Sequence, residues 1–148
     1  NCDDGDSPPW DYPDSTEGCP VREATCHNPR LDIDNIRGRD PENINIDNPN
    51  EGDSFRIMVH EYSKAFGVGA TRPELRIYCG GFLAAELGVP PDTVSLRNGE
   101  PSCLGDTWRV ADVEMHVDPE TGGATCDISV LSGSGSGGWD VREDDRSY

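Results

Sequence analysis

Residues 75–87 read LRIYCGGFLAAEL and carry the strongest local signal for the fold. Two apolar runs meet at Gly80 and Gly81, and glycine adopts the positive φ angles of a tight turn without steric cost. The stretch therefore predicts a β-hairpin. Its second arm, FLAAEL, is also compatible with one or two turns of helix, because a short apolar run does not distinguish the two.

The segments around this hairpin alternate apolar and polar residues with a period of two. FRIMVHEY, residues 55–62, places Phe55, Ile57 and Val59 on one face, as in a half-buried strand. In TWRVADVEMHV, residues 107–117, the apolar register changes midway, and a bulge near Ala111–Asp112 would explain the change. PDTVSL, residues 91–96, and TCDISVL, residues 125–131, are predicted as further strands.

Seven or eight short strands without a convincing amphipathic helix predict an all-β, antiparallel β-sandwich with a jelly-roll-like arrangement. We expect three parts. Residues 1–25 form an acidic, irregular segment pinned by a disulfide, residues 26–131 form the sandwich, and residues 132–148 form a Gly/Ser-rich tail. Such a tail is typical of a flexible linker. Trp139, Val141 and Tyr148 also give it apolar anchors with which it could dock on a neighbouring molecule as an intersubunit arm.

The charge balance limits the partners. The chain has 29 acidic residues, 18 of them Asp, against 12 basic ones, for a net charge of −17. Such a field repels phosphate backbones and anionic lipid surfaces, so we expect no nucleic-acid partner. No apolar run approaches the ~18 residues of a membrane span. Cations are the expected ligands.

Six cysteines without a CxxC pair favour three disulfides over a zinc site, and therefore a secreted protein at or outside the cell surface, in a processed form. Fifteen pairings are possible for six cysteines. We expect Cys2–Cys19, Cys26–Cys126 and Cys79–Cys103.

The run RLDIDNIRGRDPENINIDNP, residues 30–49, predicts two strands joined by an acidic loop. Clustered carboxylates repel one another, and a calcium ion, which accepts six to eight oxygen ligands, removes that repulsion. The alternative is that these acids face water. A second acidic cluster follows Cys2, although its spacing does not fit an EF-hand loop. The predicted calcium ligands are Asp32, Asp34, Asn35 and Glu42, with Asp3, Asp4 and Asp6 in the second cluster.

Motifs for catalysis are missing from the sequence. His27, His60 and His116 are scattered without the H-E-x-x-H spacing of a zinc helix, and no G-x-S-x-G elbow or phosphate-binding glycine loop occurs. Trp10, Trp108 and Trp139 could form a platform for sugar rings, although Trp108 alternates with Val110 and is expected in the core. We therefore expect a protein that is not an enzyme.

The pieces LDIDN, PENINIDNP and IYCGG, within residues 26–131, resemble uncharacterised secreted or surface β-sandwich domains of myxobacteria-like species, which are similar in pattern to pre-peptidase C-terminal domains. The resemblance implies a jelly-roll-type accessory module without catalysis, with Asp32, Asp34 and Glu42 as calcium ligands. Asp40 departs from the glycine that often precedes PEN in those domains.

Together these observations predict a secreted, calcium-binding structural protein that assembles with itself as a homo-oligomer or homopolymer, such as a fibre or tube. The alternative is an adhesion module that binds a polysaccharide or a peptide.

Overall fold

The computed structural model of the protein describes residues 30–33, 41–46, 49–61, 69–97 and 105–142. Within these ranges the regular elements are strands and one short 3-10 turn, and every strand pair is antiparallel. The predicted all-β, antiparallel fold class is therefore confirmed, while the segment 1–25 lies outside the described residues. The elements are β1 (Arg30–Ile33), β2 (Asn43–Asn45), β3 (Ser54–His60), β4 (Leu75–Cys79), β5 (Phe82–Leu87), β6 (Thr107–Val117), β7 (Ala124–Val130), the 3-10 turn (Ser136–Gly138) and β8 (Asp140–Arg142).

The chain divides into two compact units, Asn1–Asn50 and Glu51–Tyr148. In the first unit, β1 and β2 pair with Leu31 opposite Ile44, and a bulge separates Leu31 from Ile33. The two alternating runs of residues 30–49 therefore contain paired strands, as their period of two predicts.

The second unit is built on β6, the longest strand. One edge of β6 pairs with β3, and the other edge is shared by β8, at Thr107–Arg109, and β7, at Ala111–Val117. These four strands form one sheet. The inward residues Phe55, Ile57 and Val59 of β3 pack against the core, as their spacing predicted.

A bulge in β6 reconciles its two apolar registers. Ile57 lies opposite Ala111 while the next residue, Met58, lies opposite Arg109, so Val110 is the extra residue. The predicted bulge is confirmed one position earlier than expected. Because an extra residue reverses the alternation of sides, apolar positions from both registers reach the core. The buried residues of β6 that result are Trp108, Val110, Ala111, Val113 and Met115.

The β4–β5 hairpin forms the second layer of a sandwich-like arrangement. Its turn residues Gly80 and Gly81 have φ angles of 55° and 84°, and FLAAEL is a strand rather than a helix. Alternate residues of both strands pack on the core of the four-stranded sheet, with Ile77 buried among them.

A disulfide links Cys79 at the end of β4 to Cys126 in β7. The predictions Cys79–Cys103 and Cys26–Cys126 are therefore wrong, and Cys2–Cys19 lies outside the described residues. Sequence spacing cannot show that the hairpin crosses over β7, and this crossing brings the two sulfurs together.

PDTVSL is not a regular strand. It makes one isolated bridge, between Leu96 and Thr71, although Val94 and Leu96 are both fully buried. Pro91 begins the segment and has no N–H to donate to a ladder at that position.

The start of the Gly/Ser-rich tail packs on its own molecule. Trp139, expected to anchor the tail on a neighbour or to stack on sugar, is 8% exposed. Its ring lies 5.1 Å from that of Trp108 in an edge-on arrangement, and its Nε1 donates to the carbonyl of Asp92 at 2.9 Å. The segment then continues into β8, which pairs with β6. Trp108, predicted in the core, is fully buried.

Candidate interaction surface

The predicted calcium ligands fall mainly outside the described residues. Asp32 lies in β1, and Glu42, which is exposed, precedes β2; since Ile33 pairs with Asn43, both positions are at the same end of this strand pair. Asp34, Asn35, Asp3, Asp4 and Asp6 are outside the described ranges. Within those ranges there is no group of three or more His, Cys, Asp or Glu side chains arranged for a metal. The calcium site of residues 30–49 stays a prediction.

The exposed apolar residues of the second unit concentrate at one end of the β4–β5 hairpin. Tyr78 is 62% exposed, Phe82 80% and Leu83 51%. Large apolar side chains that are exposed singly are ordinary, whereas neighbouring ones mark contact surfaces. We call these three residues the hairpin patch.

A bulge in β5 creates the hairpin patch. Ile77 lies opposite Ala85 and Tyr78 opposite Leu83, so Ala84 is the extra residue of β5. Without it, Leu83 would share the inward side of Ala85, since residues two apart point the same way. The bulge turns Leu83 outward, beside Tyr78, because cross-strand partners share a side of the sheet.

Phe82 lies on the opposite side of the hairpin from Tyr78 and Leu83. It pairs with Cys79, whose side chain is engaged by Cys126, yet it extends past the sheet into solvent. Apolar groups on both sides of a hairpin end do not form the single flat face on which a sugar chain stacks. They suit a contact with another protein surface.

The hairpin patch is held rigidly. The Cys79–Cys126 disulfide fixes the end of β4, and a Cβ on Gly80 would overlap the carbonyl of Ala124 at the start of β7. A preorganised aromatic anchor loses little conformational entropy when it binds, so rigidity favours affinity.

An ion pair between Arg76 and Glu86 flanks the hairpin patch. Arg76 Nε donates to Glu86 Oε1 at 2.7 Å, across the pair β4–β5. The hydrogen bond to Glu86 raises the pKa of Arg76. Both groups are largely exposed, so the pair stabilises the fold little. The pair itself carries no net charge, and Glu74 also lies near enough to Arg76 to interact with it electrostatically.

Two polar networks occupy the outward face of the four-stranded sheet. Arg56 makes a two-point ion pair with Asp112, whose pKa this guanidinium lowers. Asp140 accepts from Arg142 and lies 3.5 Å from Arg109. Asp140 is buried, whereas Arg56 and Asp112 are partly exposed, and opposite charges at neighbouring strand positions stabilise a sheet, so both networks have a structural role.

His116 forms a third polar network. Its Nδ1 lies 3.2 Å from Glu51 and its Nε2 3.2 Å from Asp127. The hydrogen bonds to Glu51 and then Asp127 raise the pKa of His116, and the Val117 N–H lowers that of Glu51. The group has no neighbouring Ser, Thr or Cys among its hydrogen-bond partners, and it links the segment before β3 to β7.

Sequence reasoning did not single out the hairpin patch, because YCGGFL reads as an ordinary buried hairpin. The alternation of the second arm gave no signal. Leu87, Ala85 and Leu83 share one register in the sequence, and Leu83 is exposed only because of a bulge that alternation does not reveal.

Comparisons with known proteins add no relative. No protein-family model matches the chain, and searches of curated proteins and of solved structures each gave no match. Among the described residues, no helix has the length and apolar character needed to cross a membrane.

Proposed function

We propose that this is a non-enzymatic, extracellular structural protein that associates with further copies of itself through the hairpin patch. The observation that carries the proposal is the exposure of Tyr78, Phe82 and Leu83 at one rigid hairpin end. The disulfide between Cys79 and Cys126 supports an oxidising, extracellular location.

The outward face of the hairpin is self-complementary. It presents the cross-strand pairs Arg76–Glu86 and Tyr78–Leu83. A two-fold axis parallel to the strands places Tyr78 over the Leu83 of a second copy and Arg76 over its Glu86. Apolar groups then meet next to the hairpin turn and opposite charges meet one level further along the strands, so both contacts are complementary.

The net charge of −17 opposes association, and contacts between Arg76 of one copy and Glu86 of the other would offset part of that repulsion on this face. Calcium bound by the predicted ligands Asp32, Asp34 and Glu42 would lower the remaining repulsion. Sheet edges give a route from dimer to polymer, since β3 and β7 each have β6 as their single strand partner among the described elements.

Sedimentation velocity over a range of concentrations tests the proposal. We expect the wild type to associate reversibly and Leu83→Ser to remain monomeric. Val130→Ser is the matched control, because it removes an apolar side chain of similar exposure from a different strand, β7. This variant should associate like the wild type. A monomer at every concentration, or association unchanged by Leu83→Ser, would overturn it.

A charge exchange tests the two-fold arrangement. Arg76→Glu and Glu86→Arg should each weaken association, while the double variant should restore it, because the exchanged pair is complementary again both within and between copies. If the double variant stays as weak as the single ones, the proposed geometry is wrong. Adding a chelator at constant ionic strength tests calcium separately, and unchanged assemblies would remove it from the proposal.

Adhesion is the second candidate, favoured by the exposed ring of Tyr78. Saturable binding on a glycan array that is lost in Tyr78→Ser, in a protein that stays monomeric, would replace self-association by carbohydrate binding.

A further inference from the structure

Two acidic side chains are buried together at the end of the core of the second unit. Glu61 follows β3 and Asp106 precedes β6, and they are 5% and 4% exposed. The N–H of Glu61 donates to the carbonyl of Asp106 at 2.9 Å, which extends the β3–β6 ladder by one pair. Since Val59 lies opposite Trp108 two positions earlier, both acids point to the core side of the sheet.

One oxygen of this pair lacks a hydrogen-bond partner. Oε1 of Glu61 accepts from the hydroxyl of Thr71, whereas Oε2 is buried and accepts from no group among the described residues. Asp106 is held beside it, with Oδ2 accepting from the N–H of Arg97 at 2.7 Å. A buried carboxylate oxygen without a partner is costly, and a second carboxylate alongside increases the cost.

We propose that Glu61 and Asp106 bind a calcium ion, with Oε2 of Glu61 as a direct ligand. Every side-chain atom that could coordinate a metal at this position is oxygen, including that of the Thr71 hydroxyl. Oxygen ligands select a hard cation. The described residues bring no third acidic, His or Cys side chain to the site, so water and carbonyl oxygens complete the shell.

This site shares no residue with the hairpin patch or with the predicted ligands of residues 30–49, so its test is independent of the proposed function.

Terbium luminescence locates the ion. Tb³⁺ replaces calcium at oxygen sites and emits when a nearby tryptophan is excited. Trp108 lies two positions from Asp106 on the same side of β6, about 7 Å away in strand geometry. We expect tryptophan-sensitised emission from the wild type, displaced by added calcium.

Glu61→Gln, which keeps the shape and can still accept from Thr71, should lower the calcium affinity at least about tenfold, since loss of even an outer-shell partner of a metal ligand typically costs about 10–100-fold. Glu114→Gln removes one charge from an exposed position of β6, the strand that follows Asp106. It is the control, and its calcium affinity should be unchanged. If Glu61→Gln does not fold, Asp106→Asn gives the same test.

Thermal melting gives a second test of the bound ion. If the site binds calcium, added calcium raises the melting temperature of the wild type and not that of Glu61→Gln. In chelator, the melting temperature of Glu61→Gln is no lower than that of the wild type. An equal calcium response in both proteins, or none in the wild type, would overturn the site.

Discussion

His116 shows how single residues couple the parts of the second unit. It lies between Glu51, before β3, and Asp127, in β7, and both carboxylates raise its pKa above the ordinary 6.5. The imidazolium form is therefore favoured in the folded protein. The stability from this pairing is fully present below pH 6.5 and is lost as the pH rises through the elevated folded-state pKa.

The expected result is a pH-dependent difference between the wild type and His116→Asn. The wild type should melt at the higher temperature at acidic pH, and the difference should shrink as the pH rises above neutrality. Melting curves recorded by circular dichroism measure it. His60→Asn is the control with the opposite sign, because burial lowers the pKa of His60, so its stabilisation is present above pH 6.5 and is lost as the pH falls. A difference for His116→Asn that does not change with pH would contradict the pairing.

Among the elements, the β4–β5 hairpin depends on how closely its turn approaches β7. Gly80 and Gly81 both have positive φ, but a Cβ would meet the Ala124 carbonyl only at Gly80 and open space at Gly81. We expect Gly81→Ala to cost about 1–2 kcal/mol for the backbone alone, and Gly80→Ala to cost about 1–3 kcal/mol more, because the added carbon forces the turn away from β7. Urea unfolding of the two variants provides the comparison, and equal losses would mean that the turn does not contact β7.

The bulges show how far elements can be predicted. The bulge of β6 was predictable, because the apolar residues themselves change register within TWRVADVEMHV. The bulge at Ala84 was not, since Phe82, Leu83, Ala84 and Ala85 are all apolar and any register satisfies the pattern. The hairpin patch follows from that second bulge, so local pattern does not predict this candidate site.

At the scale of the whole molecule, the Cys79–Cys126 disulfide closes a loop of 47 residues between the two layers. The chain-entropy relation gives a stabilisation of about 4 kcal/mol for a loop of this length. We expect the double variant Cys79→Ala with Cys126→Ala to lose a stability of that order in urea unfolding, while keeping its strand signal in circular dichroism. A loss well under about 1 kcal/mol would show that the unfolded chain is already constrained there.

The disulfide also connects stability to the proposed function, since it holds the hairpin patch. In the same double variant, association should weaken by more than the change in stability alone predicts, because the hairpin patch is no longer preorganised. Sedimentation at temperatures well below melting separates the two effects.

The sequence by itself determined most of the strands, though not β8 or the irregular course of PDTVSL, together with the glycine turn, the bulge in β6, the burial of Trp108 and the acidic, disulfide-bonded character of the protein. These follow from the period-two alternation, from backbone sterics and from composition, which act over a few residues. Only the tertiary structure decided that Cys79 meets Cys126, that Trp139 packs on Trp108, that Leu83 faces solvent and that Glu61 is buried beside Asp106. Each of these depends on contacts between residues far apart in the chain, and the packing of the whole core selects such contacts among many arrangements that local pattern allows equally.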